Sequence, residues 1–377
     1  MHYRLLRRID FRIVPLVLLL MLISLLTISA YSVPLEQDPA EASFFTPMVL
    51  QQLRGFLLGF VVFLVMALFD YNKLREWTWV LYALMLLSLF GLFFTDPIQR
   101  VQRWYRLPWI GIGIQPSEVA KLVVIIALSW FLERRKMYSR DTSTALLALF
   151  LVALPFLLIL KQPDLGTALV LLPVSLVMFY FGDLHPWLVR GMCAVGVIAL
   201  LGVALIFSGA IEPQQIQPYV SRWLKAYQLE RLNPNTHHLK AASVAIALGG
   251  VSGEGWRKSE FSGGGFLPTP YTDSVFPAFG EEFGFLGLVL VLFVYYTLIY
   301  FSFQVAAVAV DSFGRLLAAG LAVYLAIHVV LNVGMMCGFF PITGVPLPLL
   351  SYGNTSILVT MAALGLLQSI YCRRFMF

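Results

Sequence analysis

VPLVLLLMLISLLTISAYS, residues Val14–Ser32, carries no charged side chain, and no small-residue cleavage site follows it closely. A bilayer is crossed by roughly 17–25 apolar residues, so the run reads as a permanent span, not a removed signal segment. Nine further runs repeat it: Leu53–Phe69, Trp77–Phe94, Val119–Leu132, Ala145–Leu160, Leu165–Phe181, Gly191–Ser208, Pro277–Phe301, Leu316–Gly338 and Ile357–Tyr371. The Val119 run is short, and Glu118 and Lys121 extend it if they face a cavity. The expected fold is an all-α polytopic membrane protein of about ten transmembrane helices. One large extracytoplasmic loop, 209–276, separates the seventh from the eighth, and 1–377 reads as a single transmembrane domain that includes it.

Composition agrees. Of 377 residues, 59% are hydrophobic and 12% charged, against about 45–50% and about 25% in a soluble domain. A soluble enzyme, a nucleic-acid binder and a disordered scaffold are poor fits. The net charge of +6 reads as membrane orientation. Cys193, Cys337 and Cys372 have no CxxC spacing, so neither a disulfide framework nor a zinc site is supported.

Lys and Arg set the orientation. Arg4, Arg7, Arg8 and Arg12 precede the first span; Lys73, Arg75, Arg134, Arg135, Lys136, Arg140, Arg190, Arg315, Arg373 and Arg374 fall on the same side. The opposite short loops offer Arg54, Arg100, Arg103, Arg106 and Lys161. The expectation is a multi-pass protein with both termini cytoplasmic. No internal repeat is visible, which weakens the case for a transporter of two matched halves.

Four polar clusters lie on the outer side. Arg103-Trp104 precedes Gln115-Pro116-Ser117-Glu118-Val119-Ala120-Lys121, where Pro116 and Ser117 signal a helix entry. Glu118 and Lys121 share a face; a self-neutralising anchor and a cavity lining both fit. In Gln162-Pro163-Asp164-Leu165-Gly166-Thr167, Asp164 suits a helix cap as well as chemistry. The loop end Pro268-Thr269-Pro270-Tyr271-Thr272-Asp273 runs into Gly280-Glu281-Glu282-Phe283-Gly284. Asp273 either caps the next helix or is a carboxylate presented for proton transfer or a divalent cation. Of Glu281 and Glu282, one is expected to face the interior. Last, Pro341-Ile342-Thr343-Gly344-Val345-Pro346-Leu347-Pro348-Leu349-Leu350-Ser351-Tyr352-Gly353 cannot be regular helix and reads as a re-entrant loop beside a polar site. Gly249-Gly250-Val251-Ser252-Gly253-Glu254-Gly255 looks like a nucleotide loop but follows no strand. His237-His238 reads as a solvated pair, and His328 as satisfied by a neighbouring helix.

In this order, Arg-Trp, Gln-Pro-Ser-Glu, Gln-Pro-Asp-Leu-Gly-Thr, Thr-Asp, Gly-Glu-Glu-Phe-Gly and Pro-x-Thr-Gly-x-Pro-x-Pro-x-x-Ser-Tyr-Gly resemble the SEDS family (shape, elongation, division and sporulation) over nearly the whole chain. Arg8-Ile9-Asp10 and Gly280–Gly284 resemble its RodA-like elongation branch more than the FtsW-like division branch. The resemblance implies a peptidoglycan glycosyltransferase that polymerises lipid II at the outer face of the bacterial cytoplasmic membrane during elongation and shape maintenance. It implies Asp273 as the catalytic carboxylate, acting as base or as ligand of a divalent Mg or Mn ion. It implies Arg103, Glu118, Lys121, Asp164, Thr272, Thr343 and Ser351 as substrate-binding residues, and a class B penicillin-binding protein, a transpeptidase, as partner alongside membrane lipids. Pro268–Ser274 lacks a carboxylate and a histidine that the family often carries there, His237-His238 and Ala241-Ala242 replace its usual Tyr-Gln and Gln-Ser, and Asn354 replaces a glycine. A lipid II transporter and a non-catalytic scaffold for a transpeptidase are the competing readings; Asp273 at the outer surface favours chemistry.

Overall fold

The computed structural model describes residues 10–32, 43–95, 102–107, 112–211, 231 and 233–374. Each of the ten apolar runs is a helix: α1 (Ile13–Tyr31), α2 (Pro47–Leu68), α3 (Lys73–Gly91), α4 (Pro116–Arg134), α5 (Thr142–Lys161), α6 (Leu165–Phe181), α7 (Pro186–Phe207), then α10 (Val275–Val308), α11 (Ser312–Met336) and α12 (Asn354–Arg373). Between them lie α8 (His237–Gly249) and the single turn α9 (Glu260–Gly263). A short antiparallel hairpin, β1 (Tyr105–Leu107) with β2 (Ile112–Ile114), precedes α4 and adds the one element of sheet among the described residues to an otherwise helical protein. Eight of the described helices are long and apolar enough to cross a membrane. Of the other two, α6 is shorter, with 17 residues, and α4 carries Glu118, Lys121, Glu133 and Arg134.

The helix starts follow local chemistry. Pro47, Pro116 and Pro186 occupy first-turn positions where no N–H is needed. Thr46 caps α2 by accepting from Val49 N at 3.3 Å, and Asp311 caps α11 by accepting from Gly314 N at 3.1 Å. Pro155 and Pro173 sit inside α5 and α6, where packed neighbours tolerate them. The interior is built on α4, α11 and α12, with 72% of α11's and 83% of α12's apolar window buried. By contrast α7 buries only Leu188 and Ile206. Close approach of α12 to α2 rests on Gly365, where a Cβ would lie 2.6 Å from Phe63 O, the small-residue contact expected between membrane helices.

The eighth run departs from a simple span. It begins at Val275, two residues before the expected Pro277, and its helix breaks at Gly284 (φ 64°, ψ −168°), a conformation open essentially to glycine alone. The break is clasped by the segment that looks like a nucleotide loop: Glu254 N and Gly255 N each donate at 3.0 Å to Glu281 O and Glu282 O, and Phe285 N donates to Gly250 O at 2.9 Å. Those glycines therefore serve backbone approach and not phosphate binding. Both glutamates face inward, not one. Glu281 accepts from Phe261 N at 3.0 Å and from Ser262, and Glu282 accepts from Arg257 N at 3.0 Å. The 250–257 segment is then pinned to α1, with Trp256 Nε1 donating to Leu26 O at 3.1 Å and Arg257 to Ser29 Oγ at 2.7 Å.

Candidate functional site

Three loops meet at the end of the bundle where α4 and α6 begin. The 162–164 hairpin is held by Arg103, whose Nε donates to Gln162 O at 3.1 Å and whose Nη2 donates to Pro163 O. Arg103 Nη1 lies 3.9 Å from Asp164 Oδ1. Asp164 precedes α6 but makes no side-chain cap bond. Its Oδ2 instead accepts from Gln115 Nε2 at 2.8 Å and Ser117 Oγ at 2.9 Å. Ser117 is correspondingly not a cap: it ties the start of α4 to the hairpin, and Gln115 holds the cap position.

Asp273 stands opposite, on the loop that enters α10. Ser274, not Asp273, occupies the cap position there. Hydrogen bonds from α8, α11 and the 341–353 segment fix this loop. Asn332 Nδ2 of α11 donates to Asp273 O at 3.0 Å and to Val345 O at 2.8 Å. Ser351 Oγ donates to Thr272 O at 2.7 Å while accepting from Leu347 N at 2.8 Å. Tyr352 N donates to Tyr271 O at 2.8 Å, and His238 Nε2 lies 2.6 Å from Ser274 Oγ. The backbone around Asp273 is thus committed, but no hydrogen bond closes on its carboxylate oxygens among the described residues.

The re-entrant segment 341–353 is non-helical, as its prolines require. Gly344 has φ 74°, and a Cβ there would lie 3.2 Å from Asp273 Oδ2. Thr343 is buried; its carbonyl accepts from Arg231 Nη1 at 3.3 Å and faces Gly166 so closely that a Cβ at Gly166 would come within 2.6 Å. Thr272 is partly exposed beside Asp273. Burial pushes the Asp273 carboxyl up from the ordinary carboxylate value; Arg231 opposes this, Asp164 adds to it, and Arg103 opposes it. Arg103, Asp164, Arg231 and Asp273 therefore share one electrostatic site of two cations and two carboxylates.

Glu118 and Lys121 do not join it. About a turn inside α4, Lys121 Nζ pairs with Glu118 Oε1 at 2.7 Å and lies 2.8 Å from His328 Nε2 of α11. His328 Nδ1 lies 2.8 Å from Tyr324 O, so both ring nitrogens have partners. Lys121 is 1% exposed and Glu118 2%, which makes this a closed interhelical cluster under the site. Glu118 Oε2 is buried with no hydrogen-bond partner among the described residues.

Reading the sequence missed Arg231, Asn332 and the His238–Ser274 contact. Asn332 carried a signal, as a polar side chain inside an apolar helix. Arg231 carried none, being one basic residue among several in a long loop.

A metal is tested by its donors. Among the described residues no three His, Cys, Asp or Glu side chains are grouped as a metal cage. That excludes from them a closed zinc-type set, but it fits a magnesium-type ion, which is commonly held by one or two carboxylates and completed by substrate phosphates and water. Asp273, with both oxygens uncommitted among the described residues, is the ligand such an ion would use.

The family described as cell cycle protein, FtsW/RodA/SpoVE, matches residues 11–374. The chain is 32% identical over 328 residues to the peptidoglycan glycosyltransferase MrdB of Escherichia coli (strain K12), covering 84% of each chain. It is 31% identical to the peptidoglycan glycosyltransferase RodA of Treponema pallidum, over 86% of this chain and 90% of that one. Its fold is similar to the rod shape determining protein RodA of Thermus thermophilus (TM-score 0.69, 25% identity, 97% and 98% of the two chains). A chain from a peptidoglycan synthase complex that coordinates polymerisation and crosslinking matches with TM-score 0.75 and 26% identity over 98% and 99%. With the sequence match running from the first described helix to the last, and the fold match over the same length, this chain belongs to the FtsW/RodA/SpoVE family of cell cycle proteins.

Proposed function

We propose that this chain is a peptidoglycan glycosyltransferase that polymerises lipid II, with Asp273 as its catalytic carboxylate. One observation carries the reading: Asn332 holds the Asp273 carbonyl, Ser351 and His238 hold its neighbours Thr272 and Ser274, and its carboxylate stays uncommitted among the described residues, within the field of Arg231 and Arg103. Fixed placement of one reactive group beside charges that complement a departing anion is what transfer to a hydroxyl requires.

In the proposed reaction the sugar 4-hydroxyl of one lipid II attacks the anomeric carbon of another. A new glycosidic C–O bond forms, the bond to undecaprenyl pyrophosphate breaks, and the hydroxyl proton passes to Asp273. Arg103 and Arg231 offset the leaving group's charge. Asp164, held by Gln115 and Ser117, keeps Arg103 from swinging away. Thr272 stands at the open edge as a substrate contact. Ser351 and Thr343 act through the re-entrant segment, Ser351 by bonding the Asp273 loop and Thr343 by its carbonyl on Arg231. Glu118 and Lys121 support the floor. A divalent ion, when bound at Asp273 and the substrate's pyrophosphate, would supply further charge neutralisation.

The Lys and Arg distribution supports placing both termini in the cytoplasm and the site at the outer face of the bacterial cytoplasmic membrane. The solved complex that couples polymerisation to crosslinking supports a class B penicillin-binding protein as partner. The test is glycan-strand formation from labelled lipid II by purified protein, with and without such a partner and a divalent metal. Wild type should form polymer and Asp273→Asn should form none. Polymer from Asp273→Asn at the wild-type rate would overturn the catalytic assignment; no polymer from wild type under any condition would favour a lipid II transporter or a scaffold.

A further inference from the structure

At the end of the bundle opposite Asp273, the ends of α4, α6 and α10 and the start of α11 enclose a cavity of about 460 Å³. Its walls are apolar, built from side chains such as Leu132, Phe181, Phe303 and Leu316. Its rim carries charge. Glu133 and Asp183 on that rim are already paired, Glu133 at 3.0 Å with an Arg75 that it shares with Asp311, and Asp183 with Arg140 at 3.1 Å. Lys136 and Arg315 are exposed there. Lys136 makes one long hydrogen bond, to Ser312 Oγ at 3.4 Å. The Arg315 guanidinium makes no hydrogen bond or ion pair among the described residues. Four cations, Arg75, Arg140, Lys136 and Arg315, face three carboxylates, Glu133, Asp183 and Asp311, so the rim stays net positive. Its two exposed cations without an ion pair among the described residues, Lys136 and Arg315, stand over an apolar cleft near the helix ends.

We propose that this cleft binds an anionic phospholipid of the cytoplasmic leaflet, its headgroup phosphate between Lys136 and Arg315 and an acyl chain along the apolar wall. The leaflet side rests on the orientation proposed above; the site itself does not. A bare phosphate would fill only a small part of the cavity and would gain nothing from Leu132, Phe181 or Phe303. A lipid satisfies both halves of the cleft, since basic residues at this level attract anionic headgroups and the walls match an acyl chain.

The experiment is native mass spectrometry of the full chain, released from bilayers of phosphatidylglycerol or of phosphatidylcholine. The wild type should retain one phosphatidylglycerol that survives activation, and no equivalent phosphatidylcholine. Each surface cation contributes about fivefold to anionic-lipid attraction, so K136Q/R315Q should weaken retention by about thirtyfold. A307W leaves the charges in place and fills the cleft from the exposed Ala307; it should also release the lipid. R134Q/R135Q, which alters basic residues of the same face outside the cleft, should retain it. Equal loss in R134Q/R135Q would make the attraction a diffuse surface effect and overturn the proposal. So would unchanged retention in both K136Q/R315Q and A307W, or displacement of the lipid by millimolar inorganic phosphate. None of these readouts depends on glycan synthesis, so failure here is separate from failure of the enzymatic reading.

Discussion

A single side chain decides the chemistry proposed at Asp273, and its neighbours decide whether that side chain is in place. Gly344 is the most sensitive of them. Its positive φ costs any other residue about 1–2 kcal/mol, and an alanine Cβ would press on Asp273 Oδ2. Gly344→Ala should lower kcat for polymerisation by about tenfold or more while the protein still purifies as a folded membrane protein; wild-type turnover would refute the contact. His238 offers a pH handle. Burial lowers its pKa below 6.5, with His237 and then Arg231 adding to the shift. A group depressed in the folded state stays neutral there while the unfolded chain takes up a proton. His238 therefore contributes nothing unfavourable above pH 6.5, and stability is lost as the pH falls from that value toward the folded pKa. The protection factors of amides in 269–276, with the intrinsic pH dependence of exchange divided out, should fall on acidification through this window, and His238→Gln should flatten the response. Asp273 and Asp164 were legible in the sequence because each stands in a short motif that also carries turn-forming residues. Their partners were not, since Arg231 and Asn332 reach the site from elements distant in sequence, and no local pattern encodes that meeting.

Elements were legible to the extent that hydropathy alone builds them. All ten runs are helices, and α4 extends past the apolar run at its start, where Glu118 pairs with Lys121 inside the protein, and at its end, where Glu133 pairs with Arg75. The break in α10 was not legible. Gly284 lies in a run with unbroken apolar character on its far side, and a lone glycine does not announce a φ of 64°. What forces the break is tertiary: segment 250–255 supplies donors and acceptors for the carbonyls and N–H groups that the helix gives up. Gly284→Ala should therefore cost about 1–3 kcal/mol for the forbidden conformation, and more because a Cβ would strike Val251 O and Gly253 N. A fall in the thermal midpoint and loss of the Asp273-dependent reaction are the expected readouts. Gly202→Ala in α7 is the control: open space surrounds it, and alanine should be neutral or stabilise the helix by about 0.5–1 kcal/mol.

At the scale of the whole molecule the protein stacks an open polar site on a closed polar cluster. Arg103, Asp164, Arg231 and Asp273 meet at the end of the bundle where α4 and α6 begin. Beneath them Glu118, Lys121 and His328 join α4 to α11, the helix that also carries Asn332. The cluster thus fixes the distance between the two elements that present the hairpin contact at Ser117 and the Asp273 anchor at Asn332. Removing one partner leaves a buried charge uncompensated, which costs about 3–5 kcal/mol. Lys121→Met should accordingly lower the thermal midpoint sharply and abolish polymerisation through loss of the fold. Glu118→Gln combined with Lys121→Met removes both charges at nearly constant volume, and an apolar replacement of a buried pair is often neutral or better. The double variant should therefore recover the midpoint. Its polymerisation then separates two roles: recovered rate means the pair braces the site from below, whereas a stable but inactive double variant means that the charges themselves act on the substrate. A double variant no more stable than Lys121→Met would show that the pair is not the interhelical lock its 2.7 Å contact indicates.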